Sequence, residues 1–237
     1  MSAPLVLVPG FWLGAWAWDE VAAALRAAGH DVTALTLPGL EPDHPDRGAV
    51  RIADHVGAVA AAVADAADRT GERAVLVLHS GAGFPGYAAT DRVADRLAAV
   101  VYVDSGPGTG ALGEGFPDAE HPLPPDEELE ADGSSLAGLS PQQRAEFRRR
   151  AVPEPGAALR EAPPLGDGSR RGVPTTVVCC SMTSRQVRDL VAQGVPFLAG
   201  LTELEHPAYV DLPTGHWPMW SRPGDLAEVL ARVADGG

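Results

Sequence analysis

Short apolar runs and stretches of helical periodicity alternate along most of the chain. The first run is Pro4 to Val8. A helix is predicted near Trp18 to Ala28, where Val21, Ala24, Leu25 and Ala28 recur at i, i+3, i+4 and i+7 and Gly29 supplies the stop. A strand from Asp31 to Leu37 ends at Pro38-Gly39. A second helix near Ile52 to Arg69 sets Ile52, Val56, Val59 and Val63 on one face and stops at Gly71. The run Ala74 to Leu78 then passes abruptly into Ser80-Gly81-Ala82-Gly83, followed by a helix from about Gly81 and a strand from Ala98 to Val103. The alternation resumes with a strand from Thr175 to Cys180, a helix near Arg185 to Gln193 closed by Gly194, a strand from Ala208 to Leu212 and a last helix carrying Leu226, Val229, Leu230 and Val233. Strands alternating with helices in this way predict an α/β fold, a mostly parallel six-stranded sheet with helices on both faces. There is no internal repeat.

Between Ser105 and about Gly172 the pattern breaks down. Ten of the 22 prolines lie there, beside an acidic patch between Asp118 and Asp132 and the basic run Arg148-Arg149-Arg150. An inserted lid of short helices at about 105–172 is expected. The alternative is an unstructured acidic loop, for which Phe147 and Leu136 would be the only anchors.

At 237 residues and 45% apolar composition, the chain suffices for one α/β domain with a real core and is short for two, so 1–237 is expected to be a single domain. A formal charge of −14 would repel nucleic acid and anionic membrane, leaving a small-molecule substrate as the expected partner of a monomer or homodimer. All 18 basic residues are arginine, which excludes Schiff-base chemistry and Walker-type phosphate loops because each needs a lysine amine. No basic region followed by a long apolar stretch precedes Pro4, and no segment reaches membrane-spanning length, so a soluble, cytoplasmic protein is expected. Cys179 and Cys180 are adjacent in an apolar run. Their side chains should point to opposite faces of a strand, which suits packing rather than a disulfide or a metal site. No cofactor and no metal are expected.

Chemistry concentrates in three places. In His79-Ser80-Gly81-Ala82-Gly83 a serine sits on a strand-to-helix turn, which pushes its hydroxyl above the sheet and demands small neighbours. Ala82 meets that demand; Leu78, where G-x-S-x-G has glycine, does not. The second place is Gly215-His216-Trp217-Pro218, between the last strand and the last helix, where a histidine lands over the carboxyl edge of the sheet within reach of the serine proton. Among the other histidines, His55 is mid-helix, His30, His44, His121 and His206 stand in solvent-like contexts, and His79 should point away from the serine hydroxyl. The third is Val8-Pro9-Gly10-Phe11-Trp12, after the first strand. Gly10 permits close backbone approach, and the amide of Phe11 can join that of Gly81 as paired donors to an oxyanion.

These stretches together resemble the α/β-hydrolase-fold serine hydrolases, within them the small-lid group containing plant methyl esterases and hydroxynitrile lyases. Val8 to Trp16 is similar to that group's H-G-x-x-x-G-x-W opening, with Pro9 in place of the histidine. The order of first strand, serine turn, lid and Gly215-His216 loop extends the likeness over nearly the whole chain outside the lid. The resemblance implies Ser80 as nucleophile, His216 as base and the Phe11 and Gly81 amides as oxyanion hole. The acid departs from the family pattern, since the loop after the penultimate strand, Ser181-Met182-Thr183-Ser184-Arg185, holds no carboxylate before Asp189. Asp104, one strand earlier at the end of Val100 to Val103, is the substitute, as in some members of the family; Asp211 and Glu205 are reserves.

Three functions use this constellation: hydrolysis of a small, mostly hydrophobic carboxylic ester, lactone or thioester; a lyase or cyclase reaction on the same scaffold; and ligand binding by a receptor that keeps the fold. The missing lysine speaks against the lyase. A pocket bounded by Phe11, Trp12, Trp217 and lid residues is expected.

Overall fold

The computed structural model describes residues 2–236. Its strands are β1 (Leu5–Val8), β2 (Val32–Ala34), β3 (Ala74–His79), β4 (Leu97–Val103), β5 (Glu120–His121), β6 (Glu154–Pro155), β7 (Thr175–Cys179) and β8 (Ala208–Asp211). Six of them form a sheet in the order β2-β1-β3-β4-β7-β8, every pair parallel, and β5 pairs antiparallel with β6 outside it. The helices are α1 (Asp19–Ala27), α2 (Ile52–Thr70), α3 (Gly83–Val93), α4 (Asp126–Ala131), α5 (Pro141–Arg150), α6 (Gly156–Arg160), α7 (Ser184–Ala192), α8 (Pro218–Ser221) and α9 (Pro223–Ala234).

The central strands are apolar at almost every position because both faces of the sheet are covered. Leu5, Leu7, Val75 and Val77 face one side, where Trp18, Val21 and Leu25 of the α1 region and Leu226 and Leu230 of α9 pack on them. Val6, Val8, Leu76 and Leu78 face the other, against Val56, Val59 and Val63 of α2 and Tyr87 and Ala88 of α3. Cys179 and Cys180 fall on opposite faces, both free and buried. Burial raises both thiols well above the ordinary range, leaving them protonated and inert.

Two boundaries differ from the sequence expectation by more than one residue. β2 stops at Ala34 rather than Leu37. Its last ladder bond, Leu35 N–H to the Leu7 carbonyl at 2.9 Å, is followed on β1 by Pro9, which has no N–H to continue it. The helix after the serine begins at Gly83, after a 3-10 turn over Ser80–Ala82.

The stretch between β4 and β7 is ordered by more anchors than Phe147 and Leu136. Leu129, Leu139 and Val152 are buried with them, and Phe147 packs against Trp217 and Trp220 with ring centroids 5.1 Å apart. Its helix α5 starts on a complete capping box, Ser140 accepting from the Gln143 N–H and the Gln143 side chain accepting from the Ser140 N–H. This cap of short helices, with the β5–β6 pair, sits where the β-strands end. No helix among the described residues is long and apolar enough to cross a membrane.

Leu78, the departure from G-x-S-x-G, is accommodated one turn into α3. A Cβ at Gly86 would stand 2.3 Å from the Leu78 side chain, which is fully buried. The absent side chain of one residue makes room for the extra side chain of the other. Gly86→Ala should therefore lower stability by about 1–3 kcal/mol through overpacking, although alanine is the better helix former by roughly 1 kcal/mol. Adding Leu78→Ala should restore part of the loss in a urea-unfolding double-mutant cycle, whereas additive losses would show that the two sites are not coupled.

Candidate active site

The parallel register aligns the carboxyl ends of neighbouring strands. Val8 of β1 pairs with Leu78 of β3, and His79 of β3 with Val103 of β4, so the residues that follow each strand emerge along one edge. Ser80 emerges between Gly10 and Asp104. Both Ser80 (φ 52°) and Asp104 (φ 43°) take the left-handed conformation, as does Trp12 (φ 64°). Three of the four non-glycine residues with positive φ among the described residues thus surround one point, and such strain concentrates where side-chain direction matters more than backbone comfort. At Ser80 it produces the sharp strand-to-helix turn that lifts the hydroxyl off the sheet.

The Ser80 hydroxyl lies 2.8 Å from His216 Nε2, and His216 Nδ1 lies 2.6 Å from Asp104 Oδ2. Asp104 is well supported. Its Oδ1 accepts from the Cys180 and Ser181 N–H groups at 3.1 and 2.9 Å, and its Oδ2 accepts from the Ser181 hydroxyl at 2.7 Å. Burial disfavours its charge, but the hydrogen bonds and charge of His216 and the donors of Ser181 outweigh burial, so its pKa falls below the ordinary value. An ionised carboxylate only accepts. His216 Nδ1 must then carry a proton, which leaves Nε2 with a lone pair facing the Ser80 O–H.

Gly10 is held tightly against this assembly, since a Cβ there would stand 2.6 Å from the Ser80 Cβ. The Phe11 N–H donates to no group among the described residues. Gly81 is the second residue of the 3-10 turn, whose first N–H groups have no partner within the turn. The Phe11 ring rests on Gly81, where an added Cβ would clash with it.

The adjacent cavity is lined by Gly10, Phe11, Gly81, His55, Leu112 and Glu154 among others, of which only Leu112 is exposed, at 42%. Trp12 and Trp217, expected in this lining, are not part of it. The left-handed backbone of Trp12 turns its ring into the cap, where Nε1–H donates to the His121 carbonyl at 3.0 Å. Trp217 is 2% exposed and packs on Phe147. The reserve acids are also elsewhere. Asp211 accepts from the N–H and hydroxyl of Ser184 at the start of α7, Asp189 lies on α7 beside Arg185, and the Glu205 N–H donates to the Arg171 carbonyl.

The model of the alpha/beta hydrolase family matches residues 5–229. The chain belongs to the alpha/beta hydrolase family. Esterase PIR7B of Oryza sativa subsp. japonica is 43% identical over 109 residues, 41% of this chain and 37% of the rice protein, so the match spans well under half the length of that relative. Among solved structures, an extracellular alpha/beta-hydrolase from a Paenibacillus species is similar with a TM-score of 0.72 at 19% identity, over 98% of each chain. A methylesterase from Arabidopsis gives 0.71 at 21% identity, over 99% of this chain and 100% of that chain. At those identities the likeness is one of fold.

Sequence reasoning did not anticipate the position of His79. It does point away from the serine hydroxyl, but it is 1% exposed and both ring nitrogens are engaged. Nε2–H donates to the His216 carbonyl at 2.7 Å, and Nδ1 accepts from the Gly10 N–H at 3.3 Å. His30 and His121, read as solvent-like, are buried and half-buried, because the α1–β2 turn and the cap cover them. Burial, with the neighbouring His216 adding to it, holds the His79 imidazole far below the ordinary histidine value of 6.5. The native state therefore refuses a proton that the unfolded chain accepts. The contribution of His79 to stability is fully present above pH 6.5 and is lost as pH drops below it. His79→Gln should show a shallower fall between pH 6.5 and 4 in urea unfolding, and identical slopes would remove His79 as the source.

Proposed function

We propose that this chain is a serine esterase acting on a small, mostly hydrophobic carboxylic ester, with a small molecule as its partner rather than nucleic acid or membrane. The observation that carries the reading is the continuous relay from Ser80 Oγ–H through His216 to the ionised Asp104, at 2.8 and 2.6 Å. The esterase relative supplies the reaction class, and the charge of −14 supports the choice of partner. Two free, buried cysteines suit a reducing, cytoplasmic setting.

In this reading His216 Nε2 takes the Ser80 proton as Oγ attacks the ester carbonyl, and the charge that develops on the carbonyl oxygen is met by the Phe11 and Gly81 N–H groups. Asp104 holds the tautomer and stabilises the imidazolium. The imidazolium returns the proton to the departing alkoxide, leaving an acyl group on Ser80. A water deprotonated by the same nitrogen attacks the acyl carbonyl, and the released serine oxygen recovers the proton.

A fluorophosphonate probe should label wild type at Ser80 and fail to label Ser80→Ala, which should also lose turnover of short-chain aryl esters while keeping its fold. Asp104→Asn should lower kcat by about 10⁴-fold, the cost of the wrong histidine tautomer, while Asp189→Asn leaves it unchanged. Rapid turnover by Ser80→Ala would end the reading.

A further inference from the structure

Glu154 is an anomaly in the cavity wall. It is 2% exposed, lines the cavity together with Phe11 and Gly81, and belongs to β6 of the cap rather than to the sheet edge. The one hydrogen bond of its side chain among the described residues is a long one, accepted by Oε2 from the Trp12 N–H at 3.4 Å. No cation pairs with it there. Burial, only weakly opposed by that N–H, pushes its carboxyl up to about 8, so it is a neutral acid at pH 7. A neutral carboxyl is both a donor and an acceptor, and the second oxygen of Glu154 has no partner among the described residues, so a ligand that supplies one gains by doing so.

The position of the group limits what it can meet. Neighbouring amide nitrogens are no more than about 3.8 Å apart along the chain. With the 3.4 Å contact to the Trp12 N–H, Glu154 Oε2 therefore lies within about 7 Å of the Phe11 N–H that faces the scissile carbonyl oxygen. A polar atom on the substrate a few bonds from that carbonyl falls in reach. His55, the other titratable side chain of the wall, already donates Nε2–H to the Pro38 carbonyl at 2.8 Å.

We propose that Glu154 is a specificity-determining residue, and that the ester this site accepts best carries a hydroxyl or carbonyl oxygen two to four bonds from the scissile carbonyl; this rests on the esterase reading above. A site built to pair a substrate hydroxyl discriminates against the analogue that lacks it, because the analogue leaves the protein's own polar group unpaired.

Binding to an inert background separates the proposal from the reaction. In Ser80→Ala, methyl 3-hydroxyhexanoate should bind about tenfold more tightly than methyl hexanoate by titration calorimetry, the worth of one net hydrogen bond. Ser80→Ala/Glu154→Met should lose that ratio by weakening the hydroxy ester alone, and Ser80→Ala/Glu154→Gln, which can still donate and accept, should retain it. Equal weakening of both esters in the methionine variant would make Glu154 a mere brace for Trp12 and overturn the proposal. So would an unchanged ratio, or no binding of either ester. Turnover of the same two esters by wild type is read separately: binding preference without turnover leaves the Glu154 assignment standing and removes the esterase reading.

Discussion

Both ring nitrogens of His79 are committed, and the geometry of the site hangs on that commitment. The His216 carbonyl can only accept, which places the His79 proton on Nε2 and leaves Nδ1 to accept from Gly10. One buried ring thereby ties the loop after β1 to the loop after β8, with the serine turn between them. A second proton would turn Nδ1 into a donor facing the Gly10 N–H and break the tie. Burial prevents this by keeping the ring neutral. With Gly10 pinned, the Phe11 ring is held against Gly81. With the His216 backbone pinned, the imidazole needs only Asp104 to fix its rotation.

The cap braces the same two loops from above. Trp12 is gripped at three atoms: its N–H by Glu154, its carbonyl by the Val152 N–H at 3.0 Å, and its indole N–H by the His121 carbonyl. The Gly215 and His216 N–H groups donate to the carbonyls of Ala137 and Ser135 at 3.2 and 2.7 Å. Gly215 has to be glycine because a Cβ would stand 2.4 Å from the Ala137 carbonyl oxygen. The cap is therefore wall and scaffold at once, and its short helices are fixed to the sheet domain by backbone bonds as well as by the packing of Phe147.

The sheet, its helices and the places of Ser80 and His216 were legible in the sequence because each rests on a local signal: apolar runs between glycine and proline stops, a serine on a strand-to-helix turn followed by small residues, a histidine after the last strand; Asp104 was reached through the family resemblance. What was not legible depends on side-chain direction. Trp12 and Trp217 flank the motifs and look like pocket walls, yet a left-handed backbone turns one into the cap and Phe147 buries the other. Asp211 and Asp104 both stand at strand ends, and side-chain direction separates them: Asp104 reaches the histidine while Asp211 turns to Ser184. Glu154 lies in Val152-Pro153-Glu154-Pro155, inside a stretch with no periodicity, where the one hint was a lone acid among apolar and proline neighbours.

The left-handed residues have a consequence for how such a site persists over generations. Trp12, Ser80 and Asp104 each hold a conformation that costs of order 1–3 kcal/mol and that glycine adopts freely. At each of these positions the backbone alone favours drift toward glycine. Only the work of the side chain opposes it, so a lineage released from selection for that work would shed these three residues early, while the sheet beneath them stayed recognisable.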